Sequence, residues 1–415
     1  MTAYRVEADD VVPGPEAGGG GQSPPLRILF VSARFAPFVG GTEIHTGEVA
    51  AELVRRGHHV TVVTTDLSGA LPKWETIDGV RVVRVRAWPS WIDLHFAPGI
   101  AAIIDDGDWD LVHVQGYHTA VAPLALAAAQ RRGIPTALTF HSGGHSSRLR
   151  NGLRPLHTKF LSRWLRRTDM LIGVSAFEAN LFARRLGLPA DRIEVMPNGV
   201  PAVDTVQPHP PGGDADRPRG PHILSVGRLV RYKGHHRVIR ALPHIRAVHP
   251  EATLTILGDG PYRRSLQRLA RRLGLTDAVT FDFVPGDERP RLLSIMADAS
   301  VAMFLSSYES HGMAAHEALS TGLPAVVLDG SALGDLAAEG LADAVPLMAT
   351  DREVASIVLR TLDAQRSDRP QGASPDLQRL QHSWPVIVGR LEAAYRQVLT
   401  ERAARASRLR SDIAS

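Results

Sequence analysis

The sequence predicts an α/β protein with two tandem Rossmann-like, doubly wound domains that face each other across a cleft. Two observations predict this fold. A strand, a Gly-rich loop, a helix and another strand follow one another from Ile28, and the same order restarts at Ile223. Between these halves, residues 201–221 are dense in Pro, Gly and Asp, which is typical of a linker. A length of 415 residues also suits two domains better than one.

The first half alternates short apolar runs with helical patterns. A strand at 28–31 leads into a loop at 32–42 and a helix at 43–56, which Gly57 ends. Further apolar runs predict strands at 60–64, 80–85, 111–114, 137–140, 171–174 and 193–196. Strands that alternate with helices indicate βαβ units, so the predicted sheet is parallel.

The second half repeats this pattern. A strand at 223–226 precedes a loop at 227–234 and a helix at 236–248, and apolar residues recur at helical spacing over 384–399. Further strands are predicted at 254–257, 279–283, 301–304 and 325–328. We therefore divide the chain into a disordered leader (1–25), a first domain (26–203), a linker (204–221), a second domain (222–382), a terminal helix (383–400) and a frayed tail (401–415).

Composition narrows the functional classes. The sequence has no cysteine, which excludes disulfides and thiolate catalysis. Residues 1–25 lack the pattern of a signal peptide, and the longest apolar run, 120–129, is too short to span a bilayer. We therefore expect a cytoplasmic protein. The net charge is only +4 and there is no basic low-complexity tract, so nucleic acid is not an expected partner.

Arg228 and Lys233 lie five residues apart in the loop after the first strand of the second half. This separation is too wide for one helical face, but it suits a loop wrapped around a diphosphate. Charge-assisted hydrogen bonds to phosphate belong to the strong class. The alternative is a solvated surface pair, which is the usual state of Arg and Lys.

Glu309 and Glu317 have seven residues between them. In one continuous helix they would be ~12 Å apart, so they do not form the two-carboxylate pair of a glycosidase. Gly312 predicts a turn into a helix, with Glu309 on the loop and Glu317 inside the helix. Each acid then holds a different end of one long ligand, and the helix N-terminus faces its phosphates. The alternative is two solvent-exposed acids.

Two further strand ends carry candidate residues. Gly40 and Gly41 precede a helix, where glycine lets a ligand approach the backbone and free N–H groups attract an anion; a plain Gly turn is the alternative. His141 ends a predicted strand, where it can bond a sugar hydroxyl or stay a satisfied edge histidine. No His, Asp or Glu spacing requires a metal.

Two segments each allow two interpretations of their role. Residues 148–167 are rich in Arg with apolar residues at helical spacing, which fits either a helix on an anionic membrane surface or a packed helix with a solvated basic face. Residues 88–96, with Trp91 among them, are unusually aromatic. That loop lines an acceptor pocket or packs against the domain.

Taken together, these motifs resemble the retaining nucleotide-sugar glycosyltransferases of the GT-B fold, glycosyltransferase family 4. The resemblance covers residues from about 27 to 395. The motifs that carry it are Pro37 with Gly40-Gly41, Val174-Ser175, Pro197-Asn198-Gly199-Val200, Gly227-Arg228 with Lys233-Gly234, Gly258-Asp259-Gly260-Pro261, Phe283-Val284, and Glu309 to Glu317 followed by Gly322-Leu323-Pro324.

The resemblance implies that the first domain binds the acceptor, that the second binds the donor, and that the terminal helix crosses back onto the first domain. It implies catalytic roles for His141, beside the anomeric carbon, for the diphosphate clamp Arg228 and Lys233, and for Glu309 at the hexose. The implied donor-binding residues are Gly41, Asn198, Gly227, Gly258, Val284 near the base, Ser310, His311, Gly312, Met313, and Glu317 at the ribose. The predicted acceptor-binding residues are Gly40, Trp91 and Tyr117.

The expected reaction is transfer of a hexosyl group from a nucleoside-diphosphate sugar to a hydroxyl of a glycan, lipid or natural product, with retention and without a metal or cofactor. The family often has Gly-Phe where this chain has Ser310-His311, which leaves the sugar open. A nucleotide-sugar epimerase of the same fold and a non-catalytic nucleotide-sugar-binding protein are the alternatives. A dinucleotide-dependent oxidoreductase is disfavoured because the Gly-x-Gly-x-x-Gly fingerprint is missing.

Overall fold

The computed structural model describes residues 24–38, 40–89, 94–141, 159–199, 220–285, 288–367 and 383–414. These residues form two parallel-sheet domains, which confirms the predicted fold class. Among the described residues, no helix combines the length and the apolar composition that a membrane span requires.

The first domain is built on an eight-stranded sheet in the order β3-β4-β2-β1-β5-β6-β7-β8. All neighbouring strands are parallel except β3 and β4. The strands are β1 (Arg27–Ser32), β2 (His59–Asp66), β3 (Trp74–Ile77), β4 (Val80–Arg86), β5 (Leu111–Gln115), β6 (Thr136–Thr139), β7 (Met170–Gly173) and β8 (Ile193–Val195). The helices are α1 (Gly41–Arg55), α2 (Gly99–Asp106), α3 (Val121–Arg131), α4 (159–165) and α5 (Ala176–Leu186).

Both faces of this sheet are covered. Along β1, Leu29 and Val31 belong to one apolar cluster, whereas Ile28 and Phe30 belong to another on the opposite face. Side chains alternate between the faces of a strand, so a strand buried on both faces has a continuous apolar sequence. This is the physical reason why the central strands could be recognised from short apolar runs.

The second domain has a six-stranded, fully parallel sheet in the order β11-β10-β9-β12-β13-β14. Its strands are β9 (His222–Val226), β10 (Thr253–Leu257), β11 (Val279–Asp282), β12 (Val301–Phe304), β13 (Ala325–Leu328) and β14 (Asp343–Val345). Its helices are α6 (His235–Arg246), α7 (Arg263–Arg272), α8 (Arg289–Asp298), α9 (Met313–Ser320), α10 (Ala332–Ala338) and α11 (Asp351–Ser367).

The terminal helix α12 (Trp384–Ala414) packs onto the first domain, as expected. Trp384 and Tyr395 are buried in the cluster that contains β1 and α1. The prediction of a frayed tail after residue 400 was wrong, because α12 continues to Ala414. Alanine and arginine favour the helix there, and Arg402 anchors it through Asp169 at 3.1 Å. The predicted leader and linker lie largely outside the described residues.

Candidate active site

The topology of each sheet marks a place for a ligand. The strand order reverses between β1 and β5 in the first sheet and between β9 and β12 in the second. Ligands of open α/β sheets bind beyond the carboxyl ends of the strands at such a switch point. The loops that follow these four strands hold most of the predicted site residues.

Lys233 and Glu309 meet at the switch point of the second sheet, where the Lys233 ammonium forms an ion pair with Glu309 Oε1. Their side chains are 20% and 17% exposed, so the pair lies in a crevice but remains open to a ligand. Ser306 donates a hydrogen bond to the same carboxylate oxygen at 2.8 Å. A loop after β9 and a loop after β12 thus bring together two residues that are 76 positions apart.

Arg228 lies on the same loop as Lys233 and is exposed. Its guanidinium donates a hydrogen bond to the Tyr232 hydroxyl at 2.9 Å and makes no ion pair among the described residues. Gly258, on the neighbouring loop, has φ of 149°, and a Cβ there would overlap the carbonyl oxygen of Gly227. Close backbone packing therefore accounts for glycine at 258 without any ligand contact.

Helix α9 begins at Met313, directly after Gly312, as the sequence predicted. Gly312 has φ of 84°, and a Cβ there would lie 2.6 Å from Leu333 Cδ2. Glycine is therefore required both by the backbone conformation and by the space. Glu309 stays on the loop and Glu317 lies inside the helix, so the helix N-terminus lies between the two acids.

Glu317 is buried and forms an ion pair with Arg289 at the start of α8. Burial raises the pKa of Glu317, and the Arg289 guanidinium offsets part of that rise. Sequence analysis missed Arg289. A buried acid demands a cation, but the chain has 47 Lys and Arg residues, so only the fold could select the partner.

His141 is buried at the end of the segment after β6, and its backbone has φ of 46°. Its Nε2 lies 2.7 Å from Gln115 Oε1, and its carbonyl oxygen accepts a hydrogen bond from His118 Nε2 at 3.0 Å. Burial lowers its pKa well below the usual value, and neighbouring imidazoles lower it further; the ring of His45 is one of them, with centroids 4.6 Å apart. The ring is therefore neutral at physiological pH.

The two domains touch at this crevice. A Cβ on Gly41, at the start of α1, would lie 3.6 Å from Met313 Sδ. The Phe177 amide of the first domain donates a hydrogen bond to Asp335 of the second at 3.0 Å. His311 is buried and is one of the groups that lower the pKa of His141. The crevice therefore combines Gly41 and His141 from the first domain with the loop before α9 from the second domain.

Other predicted residues are placed differently. Asn198 is buried, with its side chain beside His45 in the first domain. The Glu43 carboxylate of the first turn of α1 lies where a Cβ on Gly40 would be. Val284 is half-buried against the apolar cluster of the second domain. Ser310, next to the buried His311, is half-buried.

The acceptor-binding prediction for Tyr117 is corrected by the structure. Its side chain is 0% exposed and packs against Phe182, with ring centroids 4.8 Å apart, and against Phe140 at 5.9 Å. A ring so placed belongs to the core and presents no surface to an acceptor. Trp91 lies outside the described residues. Within the described ranges, no three His, Asp or Glu side chains converge in a way that would hold a metal ion.

Comparison with known proteins identifies the family to which this chain belongs. The profile of Glycosyltransferase Family 4 matches residues 39–204, and that of Glycosyl transferases group 1 matches residues 215–345. The glycogen synthase of Mycobacterium tuberculosis is 33% identical over 349 residues, which cover 76% of this chain and 81% of that protein. The chain is a family 4 glycosyltransferase. The family predicted from the motifs is therefore confirmed.

This glycosyltransferase has further relatives of known structure or name. It is 32% identical over 286 residues to the GDP-mannose-dependent alpha-(1-6)-phosphatidylinositol monomannoside mannosyltransferase of Mycobacterium tuberculosis, covering 64% of this chain and 69% of that one. Sucrose-phosphate synthase from Thermosynechococcus elongatus superposes with a TM-score of 0.72 at 21% identity, over 90% of this chain and 100% of that one. Anabaena Alr3699/HepE in complex with UDP-glucose superposes with a TM-score of 0.70 at 18% identity, over 90% and 100% of the two chains. These structures confirm the GT-B fold.

Proposed function

We propose that the protein transfers a hexosyl group from a nucleoside-diphosphate sugar to an acceptor hydroxyl, with retention of the anomeric configuration and without a metal ion. The observation that carries this proposal is the Lys233–Glu309 pair at the switch point of the second sheet, with Arg228 on the same loop. A cation for a diphosphate and a carboxylate for sugar hydroxyls lie side by side there.

The relatives support a nucleotide-sugar donor. The named mannosyltransferase relative uses GDP-mannose, and a structural neighbour was solved with UDP-glucose. In the structure, Lys233 is paired with Glu309. When the donor binds, its diphosphate replaces Glu309 as the ion-pair partner of Lys233. The Glu309 carboxylate then accepts hydrogen bonds from sugar hydroxyls.

The second ion pair, Glu317 with Arg289, suits the nucleoside end of the donor. The Glu317 carboxylate accepts hydrogen bonds from the ribose hydroxyls while Arg289 holds it ionised against the effect of burial. Met313, at the N-terminus of α9, presents its backbone N–H to the phosphates between the two ends.

In the transfer step, the bond between the anomeric carbon and the phosphate oxygen breaks, and the acceptor oxygen forms its bond to that carbon on the same face. The acceptor proton passes to the departing phosphate oxygen, which acts as the base. The cations of Arg228 and Lys233 stabilise the negative charge that develops on the leaving diphosphate, the task that a metal ion performs in other enzymes. Contact between the domains excludes water from the reacting carbon.

Membrane contact through 148–167 stays a prediction. Of this segment the structure describes residues 159–167, where Phe160 is 64% exposed beside Lys159 and Arg163. A basic helix end with an exposed aromatic ring suits an anionic lipid surface. Sedimentation with vesicles that contain anionic lipid tests this contact, and loss of binding in Phe160→Ala supports it.

A screen of UDP-, GDP- and ADP-sugars tests the proposed function. Donors that raise the melting temperature are incubated with and without candidate acceptors, and the release of nucleoside diphosphate is measured. Transfer requires release that depends on an acceptor, and NMR of the product reports the anomeric configuration. Conversion of the donor without acceptor would indicate an epimerase instead. Tight binding without any turnover would indicate a nucleotide-sugar-binding protein.

A further inference from the structure

A chain of buried polar groups connects the reaction crevice to the terminal helix. Gln115, at the end of β5, lies between two imidazoles: its Oε1 is 2.7 Å from His141 Nε2, and its Nε2 is 3.2 Å from His113 Nε2. The Nδ1 of His113 is in turn 2.5 Å from the Tyr395 hydroxyl of α12. Gln115 is 3% exposed, and His113 and Tyr395 are fully buried.

The amide of Gln115 determines which atoms donate and which accept along this series of hydrogen bonds. Its carbonyl oxygen only accepts, so His141 donates from Nε2, and the neutral ring keeps its acceptor lone pair on Nδ1. Its NH₂ group only donates, so His113 accepts at Nε2, where the Thr139 hydroxyl also lies at 2.9 Å, and carries its own hydrogen on Nδ1, which donates to the Tyr395 oxygen. The Gln115 amide therefore sets the tautomer of His141, and it shares the Nε2 acceptor of His113 with the Thr139 hydroxyl.

His141 needs such a constraint because of its backbone. It is a non-Gly residue with φ of 46°, a left-handed conformation that is unfavourable for an L side chain and persists only where its surroundings hold it. The hydrogen bonds from His118 to its carbonyl and from its ring to Gln115 both hold it. Gln115 itself ends the strand beside the switch point of the first sheet, so the rigid β5 backbone places the amide.

We propose that Gln115 is a positioning residue for glycosyl transfer. Its amide is hydrogen-bonded to His113, which is hydrogen-bonded in turn to Tyr395. The amide fixes the orientation of His141 and leaves Nδ1 of His141 as a hydrogen-bond acceptor for a substrate hydroxyl. The terminal helix thereby contributes to the reaction centre of the domain onto which it crosses. This inference rests on the proposed function, because it assigns His141 to the transfer step.

The electrostatic surroundings make the proposal testable by pH. Among the residues that the structure describes, the titratable groups that face His141 are all imidazoles, contributed by α1, β5, the loop after β5 and the loop before α9: His45, His113, His118 and His311. Burial and these rings keep the His141 pKa well below its usual value. A carboxylate at 115 would place a negative charge at hydrogen-bond distance from the ring, and such an opposite charge raises the pKa of an imidazole.

The experiment compares the full-length wild type with Gln115→Glu, Gln115→Leu and a control, Gln267→Glu, which adds the same charge on α7 of the second domain. Acceptor-dependent release of nucleoside diphosphate is measured from pH 5.5 to 9, and donor binding is followed by thermal shift with UDP, GDP and ADP. We expect Gln115→Glu to gain an acid limb in kcat that wild type and control lack, because its His141 becomes protonated as the pH falls. We expect Gln115→Leu to lose 10- to 100-fold in kcat at every pH, with donor KM within threefold of wild type.

Each outcome has one meaning. If the wild type transfers sugar but Gln115→Glu keeps the wild-type pH profile, the positioning role is refuted, whatever Gln115→Leu does. If Gln115→Leu does not fold, the profile of Gln115→Glu decides alone. If the wild type releases no nucleotide from any donor and acceptor, the proposed function fails first, and the Gln115 proposal is overturned with it.

Discussion

Replacing Lys233 by methionine tests the feature on which the proposed reaction depends most. Methionine keeps most of the length of the side chain and removes its charge. If the ammonium stabilises the leaving diphosphate, its loss costs about 10²- to 10³-fold in kcat, equivalent to about 3–4 kcal/mol of transition-state stabilisation. Acceptor-dependent release of nucleoside diphosphate under saturating donor measures this loss.

The structure also gives an expected cost in stability. Lys233 and Glu309 are 20% and 17% exposed, which places the pair between surface ion pairs and fully buried ones. Surface pairs contribute about 0–1 kcal/mol, and removing one partner of a buried pair costs about 3–5 kcal/mol. We therefore expect Lys233→Met to lower the free energy of unfolding by about 1–2 kcal/mol, as measured by urea denaturation. Adding Glu309→Gln should recover part of this loss, because no unpaired carboxylate remains.

Two variants control this experiment. Lys73→Met removes an exposed lysine from the other domain and should change neither rate nor stability. Lys233→Arg keeps the charge in a planar, bidentate group and should keep more activity than Lys233→Met. The reasoning is refuted if Lys233→Met retains kcat within threefold of wild type while its stability falls. Lys233 would then serve only to hold Glu309.

Two further predictions concern the buried charges. Arg289→Met should raise donor KM about tenfold with a smaller change in kcat, and it should destabilise the protein by about 3–5 kcal/mol, because Glu317 would remain buried without its cation; an unchanged KM would exclude Glu317 from the nucleoside site. Acid should also destabilise the fold: burial lowers the pKa of His45 to about 4 and that of His113 to about 3, so between pH 6.5 and these values the unfolded chain binds more protons than the folded one. Each histidine then costs about 1.4 kcal/mol per pH unit as the pH falls, which urea unfolding at pH 7 and pH 5 measures, and a shallower slope in His45→Asn is the expected control.

The elements that the sequence missed are explained by their surroundings. β3 is an antiparallel edge strand whose residues alternate between exposed and half-buried, so it lacks the apolar run that marks a strand covered on both faces. β14 has only three residues, of which Val345 alone is buried. Tyr117 was wrongly assigned to the acceptor site, because the sequence does not say whether a ring in the loop after β5 points into the crevice or into the core.

The sequence alone determined the two domains, the positions of their central strands along the chain, the turn at Gly312 and the family. These properties are local or follow from burial, since a strand buried on both faces is apolar throughout and a left-handed residue before a helix favours glycine. Only the tertiary structure decided the pairing of Glu309 with Lys233, the choice of Arg289 for Glu317 and the chain of buried groups from Tyr395 to His141. Such partners are far apart along the chain, and hydrogen bonds and ion pairs depend on distances of a few ångströms that topology and packing set.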